Sequence, residues 1–317
     1  QKVNGISFRT KMFADNVKWN KLGSITPWLT NALLNTPIAK KAVGIAPKRS
    51  IPKLANKTFF KWYKKNKNKF KNRNKSKGKV YLFMDEYTNF YDVNIGIDVL
   101  EVLTTLGYAV IITEHEESGR SFISKGLLDE AKDKANFNVN HFKDLIDQNT
   151  PLIGIEPSTI LSFRDEYIRL ADDKESALKI SKNSFTIEEF FENEIKNGNI
   201  TSSSFNENLK TLKIHGHCHQ KSLSNINASF VMLNLPENFN VTIINSGCCG
   251  MAGSFGYEKE HYKLSMRVGE DTLFPKIRNT EKETEIIAAG TSCRHQIYDG
   301  TNRIAKHPIS ILREVLK

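Results

Sequence analysis

Cysteine is absent from the first 217 residues of this 317-residue chain, so no thiolate site can be built there. Apolar runs are short. None approaches the roughly 18 residues that a membrane-spanning helix needs, and no signal-peptide pattern opens the sequence. A cytosolic setting, with thiols kept reduced, is the expectation. Acids are missing between Lys57 and Lys79, where eleven of the 46 Lys and Arg fall, a number equal to the whole formal excess of +11. The rest of the chain is therefore near neutral. Such a Lys- and Asn-rich run reads as a solvated helix end or linker, with docking to an anionic partner or peripherally to a membrane surface as the alternative. Nucleic acid is not expected as a partner, because no reader motif accompanies the charge and its aromatics, Phe59, Phe60, Trp62 and Tyr63, all lie at one end. A Walker loop, an assignable Ser-His-Asp set and paired glycosidase carboxylates are also missing.

The residues that are present divide by pattern. Residues 1–78 hold all three tryptophans (Trp19, Trp28, Trp62) in short apolar pieces broken by Pro27, Pro37, Pro47 and Pro52, which predicts a helical and irregular arm ending in the basic linker. From Gly78 onward β-runs alternate with amphipathic runs, with Ile97, Leu100, Val102, Leu103 and Leu106 at helical spacing between Val93 and Leu106. Strands alternating with helices predict an α/β fold with parallel sheets and right-handed crossovers. The stretch 163–208 is charged and helix-favouring and is expected to connect or cover two units, 79–162 and 209–317. A long helix is expected from near Tyr257 to just before Pro275, and a terminal one opened by Pro308. The chain begins at Gln1 rather than at methionine, which suggests a piece of something longer.

The two units share one frame. Cys218, Cys248-Cys249-Gly250 and Cys293 each follow a strand-like run, and Glu86, Glu117-Ser118-Gly119 and Thr159 stand 132, 131 and 134 positions earlier behind runs of the same kind. A period this long reads as a duplicated domain in which the first copy has lost its sulfur. Thiols at strand ends lie where open α/β sheets deliver ligands.

The cysteines point to a metal or cluster. Neighbouring residues on an extended segment face opposite ways, so ordinary packing has little use for the pair Cys248-Cys249, and a disulfide between neighbours is strained. A multi-iron cluster offers separate metal atoms to adjacent thiolates, whereas one tetrahedral zinc closes most easily on C-x-x-C knuckles, so iron and sulfur are favoured with zinc as the alternative. His217, His219 and His295 flank the thiols and are candidates to ligate or to donate hydrogen bonds, while His215 reads as a capping or packing residue. Gly247, Gly250 and the glycines through Gly256 permit close backbone approach to a cluster. Thiolates beside histidine and Arg294 also leave open a thiol enzyme acting on a disulfide.

At HGHCHQK, INSGCCGMAGSFG and AAGTSCRHQI, and through FMDEYTNF and GIEPSTILSFRDEY, the chain resembles the cysteine-rich CCG-domain family. That family includes the cysteine-rich subunit of heterodisulfide reductase, an iron–sulfur subunit of anaerobic glycerol-3-phosphate dehydrogenase, and iron–sulfur regions of fused FAD-linked oxidases of the D-lactate and D-2-hydroxyglutarate dehydrogenase type. The resemblance implies two Rossmann-like CCG domains facing each other, with Cys218, Cys248, Cys249 and Cys293 as metal ligands. It also implies an iron–sulfur module that passes electrons from FAD, in a flavin domain of the same longer polypeptide, to a quinone or other acceptor. A structural zinc scaffold is the competing reading. Two departures stand out: the first copy has no cysteine, and the terminal C-x-x-C is reduced to Cys293-Arg294-His295-Gln296, one sulfur short of a five-cysteine noncubane cluster. Glu117 or a histidine is expected to complete the set, with the Glu117-Ser118 loop facing Cys248-Cys249 across a cleft.

Overall fold

The computed structural model describes residues 5–71 and 77–317. Four strands, β1 (Lys79–Phe83), β2 (Ala109–Ile111), β3 (Leu152–Gly154) and β4 (Ser184–Thr186), form a parallel sheet in the order β2-β1-β3-β4. A second parallel sheet repeats that order as β6-β5-β7-β8, from β5 (Lys210–His215), β6 (Phe239–Ile243), β7 (Glu285–Ala288) and β8 (Ala305–Lys306). The register repeats too: Leu82 pairs with Ile153 as Ile214 pairs with Ile287. The duplication read from the sequence is thus a duplication of fold.

Parallel strands covered on both faces need apolar side chains on both, and β3 is buried along its whole length. The halves meet through helices. Val93–Thr105, leading from β1 to β2, packs on Pro308–Val315 after β8, while Ile226–Leu233, leading from β5 to β6, packs on Ile187–Lys196 after β4. Each half thus offers the same helix to the same partner, the reciprocity of a two-fold arrangement. Leu82 and Ile153 of one sheet share a continuous core with Leu212, Ile214 and Ile287 of the other, and with Ile309 and Leu312 of the terminal helix. Ser310 Oγ donates to Asp98 at 2.6 Å across this seam.

The arm is a series of short helices begun by Ser7, Thr36 and Thr58 caps and by Pro27 and Pro37 at first helical positions. Among the described residues it has no core of its own; Phe59 is fully buried in the main core and Leu54 packs on Phe90. The basic run continues as helices Phe59–Asn66 and Asn68–Lys71, and its residues 72–76 lie outside the described residues.

Two expectations need revision. The stretch 163–208 does more than connect: Ser184–Thr186 is the fourth strand of the first sheet, too short at three residues to stand out in a charged sequence. The long helix expected from Tyr257 is two, Tyr262–Asp271 and Leu273–Arg278, because Pro275 falls in the first turn of the second, where its missing N–H breaks no helical bond.

Candidate metal centre

In a sheet ordered β6-β5-β7-β8 the chain leaves β5 and β7 in opposite directions, and the crevice at their carboxyl ends is the natural ligand position. Cys218 opens the helix Cys218–Leu223 just after β5, and Cys293 is the third residue of Thr291–Thr301 just after β7. His217 caps the first helix: its Nδ1 accepts from the His219 N–H at 3.2 Å, and Gln220 Oε1 accepts from the His217 N–H at 3.2 Å. Cys248-Cys249 sit on the loop after β6. The turn behind them needs glycine, because Gly250 has φ +91° and a Cβ there would lie 2.2 Å from the Ser265 carbonyl oxygen. Gly250 N–H points at Cys248 Sγ at 3.3 Å.

All four thiols line one cavity of about 400 Å³. Cys249 and Cys293 are buried with their sulfurs 3.6 Å apart, and both Sγ atoms and a ring nitrogen of His215 lie within 4.8 Å of one another. The thiols titrate as one set. Hydrogen bonds from Cys218 and Cys249 hold Cys248 below the ordinary thiol range, and Cys249 does the same for Cys293, while Cys218 and Cys249 are raised in return. Sulfur donors clustered this closely suit iron–sulfur or zinc and not a hard cation.

The first half closes the cavity from the other side with Tyr87, Arg120, Ser121, Glu156 and Ser158, all just beyond the carboxyl ends of β1, β2 and β3. Glu156 belongs to both halves: it accepts from Ser158 N–H at 3.3 Å at the start of its own helix and from Thr291 N–H at 2.7 Å at the start of the Cys293 helix. Asp92 accepts from Thr291 Oγ1 and from Arg294, both at 2.6 Å. The arm supplies a third support. Arg49, fully buried, donates to the Gly256 carbonyl, Gln296, Asp299 and Ser265 at 2.6–3.0 Å, and so ties the loop after Cys248-Cys249 to the helix bearing Cys293.

The other candidates scatter. His217 and His219 line the cavity, and burial pulls His219 down to about 4. His295 lies away from it, half-buried near Asp92, Arg294, Asp299 and Arg49. Glu117 does not reach the cavity; its carboxylate faces Lys134 at 3.6 Å, and burial lifts it to about 7. The expected facing of Glu117 and Cys249 is replaced by Glu156, whose only mark in the sequence is that it opens the EPS turn. Gly247 is exposed, with its N–H on Thr272 Oγ1 at 3.1 Å. Asp92 and Arg49 carried no sequence signal, since their partners lie 199 or more residues away.

No family model matches the chain. It is 25% identical over 252 residues to a D-2-hydroxyglutarate dehydrogenase of Haemophilus influenzae, covering 75% of this chain and 23% of that protein. It is also 25% identical over 281 residues to a subunit of the anaerobic glycerol-3-phosphate dehydrogenase of Escherichia coli strain K12, covering 87% of this chain and 68% of that one. A D-2-hydroxyglutarate dehydrogenase of Pantoea ananatis is 23% identical over 239 residues. The chain thus spans about a quarter of the length of the D-2-hydroxyglutarate dehydrogenases it matches. Among the described residues no helix is long and apolar enough to cross a membrane.

Proposed function

We propose that this chain is the electron-transfer module of an oxidoreductase, holding an iron–sulfur cluster on Cys218, Cys248, Cys249 and Cys293. The observation that carries the reading is the convergence of four thiols on one cavity at the switch point of the second sheet. A cluster so held supplies a one-electron relay. The protein's own residues shape its surroundings: Gly250 lets the loop come close, Glu156 and Asp92 fix the start of the Cys293 helix, and the first half covers the cavity against water. Both kinds of relative are dehydrogenases by name, one matched along part of a long polypeptide and the other a subunit. Electrons on this reading come from a flavin-bearing part of the same system oxidising a 2-hydroxyacid, of D-lactate or D-2-hydroxyglutarate type, and leave to a quinone or another acceptor. The isolated chain is not expected to oxidise substrate.

Anaerobically purified protein should be brown and contain iron and acid-labile sulfide. Colourless protein carrying one zinc per chain, unchanged by reconstitution with iron and sulfide, overturns this in favour of a structural zinc module. The compact group of His215, Cys249 and Cys293 is what gives zinc its footing.

A further inference from the structure

The chain has four cysteines where the family it resembles can hold five, and the interior of the second half contains an unused nitrogen donor. His215 is the last residue of β5, paired with Ala288 of β7, and is 1% exposed. Its Nδ1 lies 2.8 Å from Ser246 Oγ, and that hydroxyl is placed to donate to the Ile244 carbonyl at 3.5 Å. When the serine proton is directed there, its oxygen accepts from Nδ1–H, and in that tautomer Nε2 keeps a free lone pair. Nε2 is buried and makes no hydrogen bond of ordinary geometry, a costly condition for a buried imidazole nitrogen. Among the described residues, one group of three or more His, Cys, Asp or Glu presents ligand atoms within 4.8 Å of one another, and it is His215 with Cys249 and Cys293.

The geometry points to His215 as a fifth, nitrogen ligand of this centre, bound through Nε2 to the metal atom that Cys249 and Cys293 also hold. This rests on the reading of the thiols as a cluster site. It explains three things together: a buried, unpartnered ring nitrogen on a histidine grouped with two buried sulfurs, a serine against the other ring nitrogen, and a cysteine set one short of the five in the family the chain resembles. Ligating histidines characteristically have their second nitrogen fixed in this way. His219 is the nearest competitor, since its Nδ1 is also unpartnered, but it is half-exposed and belongs to no such compact group among the described residues. His217 is committed elsewhere: Nδ1 accepts from the His219 N–H and Nε2 lies 3.8 Å from Glu156. The chemical consequence is a mixed sulfur–nitrogen donor set, and replacing thiolate by imidazole raises a cluster's reduction potential.

The test uses the whole chain, reconstituted anaerobically with iron and sulfide, reduced, and prepared with and without [15N]histidine. Pulsed EPR should show a histidine nitrogen coupled to the cluster in the wild type, in His217→Ala and in His219→Ala, and none in His215→Ala. The wild-type labelling stands by itself if His215→Ala fails to fold. A wild-type cluster without histidine coupling overturns the assignment, as does a coupling that survives His215→Ala or disappears in His217→Ala or His219→Ala. If the wild type takes up no iron and sulfide, the electron-transfer reading fails, and titration with Co²⁺ alone then decides the ligation. His215→Ala should weaken Co²⁺ binding by at least about tenfold, and equal binding by variant and wild type overturns the assignment.

Discussion

The two halves of the molecule are the same fold with opposite solutions to one local problem, which is how to fill the crevice where strands β1 and β3, or β5 and β7, part. In the second half the crevice is lined by thiols. In the first, Glu86 stands where Cys218 stands and Ser118 where Cys249 does, and the two are joined: Glu86 accepts from the Ser118 N–H at 3.0 Å and from its hydroxyl at 2.7 Å. Asn138 then bonds the Glu117 carbonyl at 3.1 Å and Tyr167 the Ser118 carbonyl at 2.9 Å, so the loop is closed by hydrogen bonds alone. One half closes its crevice with its own hydrogen bonds, and the other lines it with thiols. The finished half then braces the open one through Glu156 and Asp92.

The largest effect should come from the thiols. Cys293→Ser or Cys249→Ser is expected to abolish retention of iron and sulfide after reconstitution, measured per chain, while Ser118→Ala leaves it near the wild-type level. If Ser118→Ala strips the centre as thoroughly as Cys249→Ser does, the division of labour between halves is wrong. Next is Arg49→Ala, which leaves the buried carboxylate of Asp299 without its 3.0 Å partner and should cost about 3–5 kcal/mol in a denaturant melt. No change in the melt would mean that the arm does not support the open half. Ser118→Ala itself removes the hydroxyl bond to a buried carboxylate and should cost about 1–3 kcal/mol.

Acidity separates the halves as well. Burial lifts Asp85 to about 8, with Glu86 adding to it, and lifts Glu86 to about 7, with Glu117 adding to that. In the unfolded chain both ionise near their ordinary values, so the stability linked to them is full below about pH 4 and declines as pH rises through 7 and 8. Glu86→Gln should flatten that decline by up to about 1.4 kcal/mol per pH unit in melts between pH 5 and 8. A variant as pH-sensitive as the wild type would show that Glu86 is already ionised in the fold. Smallest is the contrast between Glu156→Ala, expected to cost about 0.5–2 kcal/mol through the lost cap on the Cys293 helix and to loosen cluster retention, and Glu117→Ala, expected to leave retention unchanged. Equal retention in the two variants would show that Glu156 does not link the halves.

The first three strands of each unit were legible in the order of its residues, and the short fourth ones, β4 and β8, were not. Apolar β-runs at matching offsets were enough for two parallel sheets, because strand burial is written in consecutive residues such as LIG at β3 and KVYLF at β1. The thiols at strand ends were equally plain, since a cysteine cannot hide in a reduced, mostly cysteine-free chain. Packing alone chose which of the neighbouring polar groups face them. His215, His217 and His219 occupy alternate positions and are indistinguishable by type, yet the end of β5 buries the first against Cys249 and Cys293 and leaves the third half-exposed. The spacing His215-Gly216-His217-Cys218 was a faint signal that one histidine could share a metal with a nearby thiol. Glu117 and Glu156 likewise look alike in sequence, and the fold turned one to Lys134 within the first half and the other across to Thr291 of the second. The reason is physical: periodicity records whether a side chain is inside, whereas the identity of its partner depends on a contact made by residues far away along the chain, as the 135 positions between Glu156 and Thr291 show.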